Sequence, residues 1–206
     1  MVISLAMRDY PELAALDKQV ASRIAGNLAL DFCNTAGEHM SAQPQELMAD
    51  WEAFVRWTIQ AGAIPPDAYE RLGRKHFPIR PVLELRESIY RVGLALVKMK
   101  PIPEDGLGAI RRQADMRRPE VVRRRDSLHW MPDPIHASAQ LRTVLAGEAL
   151  SLFCSPRAHR IGICEGGLCG WLFLDDSRGK RRRWCDMNDC GSRAKARQYY
   201  ARHKGA

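Results

Sequence analysis

The sequence predicts a mainly α-helical α+β protein with a few short strands. A helical N-terminal domain covers residues 1–156, and a small cysteine-centred module follows over 157–206. Apolar residues recur at helical spacing through the first three quarters of the chain, most clearly at Val82, Leu85, Ile89, Val92 and Leu96. Short β-like runs, RIGIC (160–164) and WLFLD (171–175), crowd the last quarter. Four of the six cysteines and nearly all of the excess positive charge lie there as well.

The 206 residues are 46% hydrophobic and 27% charged, an ordinary globular mix that excludes wholesale disorder and fibrous classes. No run approaches the roughly 20 apolar residues that span a bilayer. The opening MVISLAMRDYPELAAL lacks the positive cluster, long apolar core and cleavage site of a secretory signal. A soluble, cytoplasmic protein with no membrane partner is expected.

Residues 12–25 carry a short amphipathic pattern. Over 24–37, a compact helix is expected, with Leu28, Leu30 and Phe32 flanking Asp31 and Asn34. A second spans 45–61, where Leu47, Trp51, Phe54, Val55 and Ile59 keep helical spacing up to Gly62. Another, over 67–76, follows Pro65-Pro66. The next begins at Pro81, a favoured first-turn residue. Beyond Pro101 and Pro103, residues 104–117 read as helix, 121–132 as two short strands or an extended loop, and 134–154 as the last body helix. In the module, 160–164 and 171–175 form a hairpin, DDSRGK (175–180) a turn, and RRRWC (181–185) a returning strand. A helix capped by Asp189 closes the chain, its Ala194 and Ala201 facing the metal core.

Cys33 and Cys154 stand alone in apolar contexts and read as inert buried thiols. Cys164, Cys169, Cys185 and Cys190 follow a C-x4-C-x15-C-x4-C pattern. In a cytosolic chain, thiols paired this way point to one tetrahedral zinc; two disulfides or four free thiols are the alternative. The zinc is expected to be structural, because fifty residues with few large apolar side chains need a staple. One cysteine pair on a hairpin and the last cysteine at a helix start is similar to a treble-clef site. Four thiolates leave no open position for catalytic water. Hydrolase, phosphate-loop and metalloprotease motifs are missing too, so no enzyme is expected.

Residues 157–206 hold twelve Lys+Arg against five Asp+Glu, while 1–156 hold twenty against nineteen. Such asymmetry predicts a polyanionic partner for the module. DNA is expected, with RNA or a protein surface as the alternative. The candidate contacts are Arg181, Arg182 and Arg183 beside the cysteines, and Arg193, Lys195, Arg197 and Arg202 on the terminal helix. In the body, Asp31, Asn34, Trp51 and Arg86 are candidates for a small-molecule effector pocket, with Arg86 holding an anion or pairing with Asp31. The other reading of this set is a buried structural hydrogen-bond network. Dimerisation is a further possible role of the body.

The segment CGWLFLDDSRGKRRRWCDMNDCGSRAKARQYYARHK, preceded by Cys164, resembles the CGNR zinc-finger domain. The stretch GNLALDFCNTAG (26–37), with a later Trp-containing helix ending in AGA, resembles the ABATE domain that accompanies this finger in bacterial proteins. The resemblance implies a stress-linked transcription regulator with structural zinc and a sensor-like helical N-terminal domain. Cys164, Cys169, Cys185 and Cys190 match the ligands, Arg182, Arg183 and Trp184 the RRW segment, and Gly191 and Arg193 the terminal box. Ser192 stands where the family has Asn. That change leaves the ligands untouched, but a contact made by that Asn does not carry over.

Overall fold

The computed structural model describes residues 23–124 and 127–203. Most of the amphipathic stretch at 12–25 therefore lies outside the described residues. Seven α-helices and three two-stranded antiparallel sheets are found among those described. Helix α1 (Leu28–Cys33) is shorter than expected, because Asn27 caps it with an extended backbone and accepts from the Ala29 and Leu30 amides. Strands β1 (Ala36–Gly37) and β2 (Gln45–Glu46) pair next, so the start of the expected second helix is strand. Helix α2 (Trp51–Gln60) begins only where Asp50 caps the Ala53 amide. Gly62, at φ +76°, ends that turn in a conformation that disfavours other residues.

Helix α3 (Ala68–Leu72) is brief; α4 (Arg80–Val97) carries Pro81 in its first turn, as expected. Helix α5 (Glu104–Ala114) leads into a ribbon, β3 (Glu120–Arg124) and β4 (Ser127–Met131), paired Val121 to Trp130 and Arg123 to Leu128. Helix α6 (Ala137–Phe153) closes the body. One core joins α1, α2, α4, α5 and α6, with Phe32, Phe54 and Trp57 as its aromatic centre.

The module opens with β5 (Ile161–Ile163) and β6 (Leu172–Leu174), paired Ile161 to Leu174 and Ile163 to Leu172. The expected third strand over 181–185 does not form. Asp175 holds that segment as a loop, accepting from the amides of Ser177 and Arg182. A π-turn (Met187–Gly191) then runs into α7 (Ser192–His203). Asp186, not Asp189, caps the turn by accepting from the Asn188 amide, while Asp189 pairs with Arg193.

The boundary between body and module is not a gap in packing. Side chains alternate along β6: Leu172 and Leu174 enter the body core, while Trp171 and Phe173 face the cysteines. Burial of each leucine is worth roughly 1.5–3 kcal/mol. Gly93 on α4 gives Leu172 its room, since a Cβ there would meet Leu172 Cδ1 at 2.9 Å.

Candidate metal centre and basic surface

Cys164 and Cys169 sit on the turn between β5 and β6, Cys185 ends the Arg-rich loop, and Cys190 lies in the π-turn that starts α7. Their four sulfurs lie within 4.8 Å of one another. Tetrahedral zinc, with bonds of about 2.3 Å, sets its sulfurs about 3.8 Å apart. Cys169 Sγ and Cys185 Sγ are 3.8 Å apart. Hydrogen bonds from the Cys169 and Cys185 thiols pull Cys164 far below the usual thiol range, and those two are pushed up in turn by Cys164. Four thiols so close cannot all ionise on their own, and a divalent cation removes that conflict. Gly166 completes the cradle, because a Cβ there would lie 2.7 Å from Cys190 Sγ and 3.2 Å from Cys164 Sγ. The donors therefore fit one structural zinc. Arg193 Nη2, 3.3 Å from Cys190 Sγ, supports a thiolate ligand from outside.

The body grips the hairpin through main-chain bonds. Asn34 makes two hydrogen bonds to the Leu172 main chain, donating to its carbonyl at 2.9 Å and accepting from its amide at 3.0 Å. Trp171 Nε1 donates to the Ala36 carbonyl and Tyr90 Oη to that of Gly170. The His39 and Met40 amides donate to the carbonyls of Cys169 and Leu168, and the Leu174 amide to Ala25. None of these partners follows from spacing, since they are brought together across eighty residues or more.

The candidate nucleic-acid residues divide into two groups. Arg182 is inward: it donates to the carbonyls of Trp184, Leu174, Ile24 and Cys185 and lies over the Phe173 ring at 4.3 Å. Arg183 pairs with Glu165 and Arg193 with Asp189. Arg181, Lys195, Arg197 and Arg202 are exposed, as are Arg178 and Lys180, which the sequence reading did not single out. These six have no side-chain partner among the described residues. Helix α7 buries no residue at all, so Ala201 is exposed and the expected alanine strip does not pack on the metal core.

Asp31, Asn34, Trp51 and Arg86 are buried but do not gather around one cavity. Asn34 is committed to Leu172, and Trp51 Nε1 donates to the Leu72 carbonyl. Arg86 does not meet Asp31; it forks onto Glu46 at 2.6 and 2.8 Å and also binds Glu87. Asp31 accepts from the Ala25 amide, and burial pushes its carboxyl up to about 6. Asp31 and Trp51 line two different surface depressions, of about 360 and 670 Å³.

A four-thiolate centre on a hairpin turn and a helix start, set against a helical body, defines a structural zinc-finger protein. Residues 160–203 match the family described as "CGNR zinc finger" and 26–156 that described as ABATE, "Putative stress-induced transcription regulator". The ABATE match covers more than half of the chain, which belongs to that family. Comparison with curated proteins finds no match. Among the described residues, no helix is long and apolar enough to cross a membrane.

Proposed function

We propose that this protein is a transcription regulator whose zinc module binds duplex DNA. The observation that carries this reading is the set of six exposed cations of the zinc module, Arg178, Lys180, Arg181, Lys195, Arg197 and Arg202, that have no side-chain partner among the described residues. Three of them stand on α7, a helix with no residue buried against its own protein. A helix polar on every side gains little by folding for itself, and its arginines and lysines suit phosphate contact. The exposed Tyr199 and Tyr200 supply stacking or groove contacts on the same helix. The zinc supplies folding energy rather than chemistry, since four thiolates fill its coordination sphere; we read the protein as non-catalytic. The body serves as the platform that positions the hairpin.

The test is fluorescence anisotropy of the full chain on a mixed-sequence duplex across a salt series. Binding that weakens steeply with salt, with a slope reduced by about 2 in Lys195→Gln/Arg197→Gln, is the expected result. Salt-indifferent binding, or binding to single-stranded RNA alone, would overturn it in favour of a protein- or RNA-binding module.

A further inference from the structure

The body's near-neutral total hides a second basic surface far from the zinc. From the last turn of α5 to the end of β3, residues 111–124 carry Arg111, Arg112, Arg117, Arg118, Arg123 and Arg124 against Asp115 and Glu120. Arg111, Arg112, Arg117 and Arg118 are exposed and have no side-chain partner among the described residues. Arg124 is tied to Asp67 at 3.0 Å, which fixes the ribbon to α3. On the inner face of the ribbon, Val122 and Met131 pack on the core. The other face carries Val121, Arg123 and Leu128, with Val121 52% and Leu128 70% exposed, while Trp130, opposite Val121, is half-buried against the core. Exposed apolar residues on a ribbon that follows Arg111, Arg112, Arg117 and Arg118, exposed and without a side-chain partner among the described residues, mark a contact surface rather than a solubilising one.

The occupant follows from charge and edge chemistry. A second copy would set two basic corners against each other. Added-strand pairing is discouraged by Pro119, directly before β3, and by the Arg123-Arg124 pair on it, the usual means of blunting a strand edge. A polyanion meets neither obstacle, and a two-stranded ribbon fits the major groove of B-DNA. The ribbon and the zinc module lie at opposite ends of α6. Gln113, at the α5 end, donates to Ala139 and Thr143 in its first turns, while Phe153 at its far end packs beside Gly93, close to Leu172. Seventeen helical residues separate those ends by about 25 Å, within one turn of duplex, which repeats about every 34 Å.

We propose that the β3–β4 ribbon and its α5 corner form a second duplex-DNA contact, so that one chain grips the duplex at two places. This rests on the DNA-binding reading of the zinc module. The test compares the full chain with Arg111→Gln/Arg117→Gln/Arg118→Gln on the same mixed-sequence duplex over a salt series. None of the three side chains has a hydrogen-bond or ion-pair partner among the described residues, so the melting midpoint and circular dichroism should match the parent. The salt slope should fall by about 2–3 and affinity at about 0.1 M salt by at least tenfold. An unchanged slope in this variant, with a reduced one in Lys195→Gln/Arg197→Gln, would overturn the second contact and leave the first standing. If the parent chain binds no duplex at all, both fall together. A Val121→Ser/Leu128→Ser variant separates groove contact from bare charge: the proposal expects weaker binding at unchanged salt slope, and unchanged binding would remove the ribbon face from the contact.

Discussion

The zinc module has two halves that differ in what they touch. Strand β6 lies between two cores, gripped by Asn34, Trp171 and Tyr90 contacts on its body side and by Phe173 packing on its cysteine side. Helix α7, some twenty residues further on, buries nothing. One zinc holds both halves, through Cys164 and Cys169 on the hairpin and Cys190 at the helix start. The contrast teaches that basic residues in one short segment do not share one role. Arg182 belongs to the architecture, because four main-chain carbonyls take its donors, whereas Arg197 is exposed and has no side-chain partner among the described residues.

Removing the metal should have the largest effect. Cys185→Ser, or chelation of the parent chain, should unfold the module and also lower the melting midpoint of the body, because Leu172 and Leu174 leave its core. Hydrogen exchange at α1 and α4 reads this; protection unchanged there would mean that the halves are independent. Asn34→Ala comes next. It strands the amide and carbonyl of Leu172 in a buried site, at about 1–3 kcal/mol each, so a loss of about 4 kcal/mol is expected by denaturant titration, with zinc still bound.

A paired substitution sharpens the division inside the Arg-rich stretch. Arg182→Gln should cost about 2–3 kcal/mol of stability, while Arg197→Gln should leave stability within about 0.5 kcal/mol and reduce the DNA salt slope by about 1. Equal effects on stability would erase the contrast. The smallest effect is one of pH. Burial raises the Asp31 carboxyl from 3.8 to about 6, against a lowering by the Ala25 amide. The folded chain therefore holds a proton that the unfolded chain has lost, and this group's contribution to stability falls as pH rises from about 4 to about 6. Asp31→Asn should match the parent near pH 4 and exceed it by on the order of 2 kcal/mol at pH 8, a difference read by urea titration at the two values.

Much of the architecture was legible because it is written in local signals. The 3-4 spacing after Pro81 and the Pro and Gly punctuation of the body locate helices that the structure contains, with ends displaced where the caps Asn27 and Asp50 decide them. The β5–β6 hairpin and all four zinc ligands also came from pattern alone, since a metal needs particular donors at loop-closing spacing. The 181–185 segment is expected as a returning strand into the second cysteine pair, and the structure makes it a loop. Its hydrogen bonds go instead to Asp175 and to the Arg182 guanidinium, and no periodicity reports that.

The sequence by itself determined the helical body, the four-thiolate centre and the basic end of the chain, because periodicity, ligand chemistry and net charge are properties of neighbouring residues. Only the tertiary structure decided that Asn34 holds Leu172, that Arg86 serves Glu46 rather than Asp31, and that Arg182 faces inward while Arg197 faces out. Those outcomes depend on which main-chain groups remain unpaired once distant segments pack. A buried donor or acceptor must find its partner wherever the fold brings one within reach.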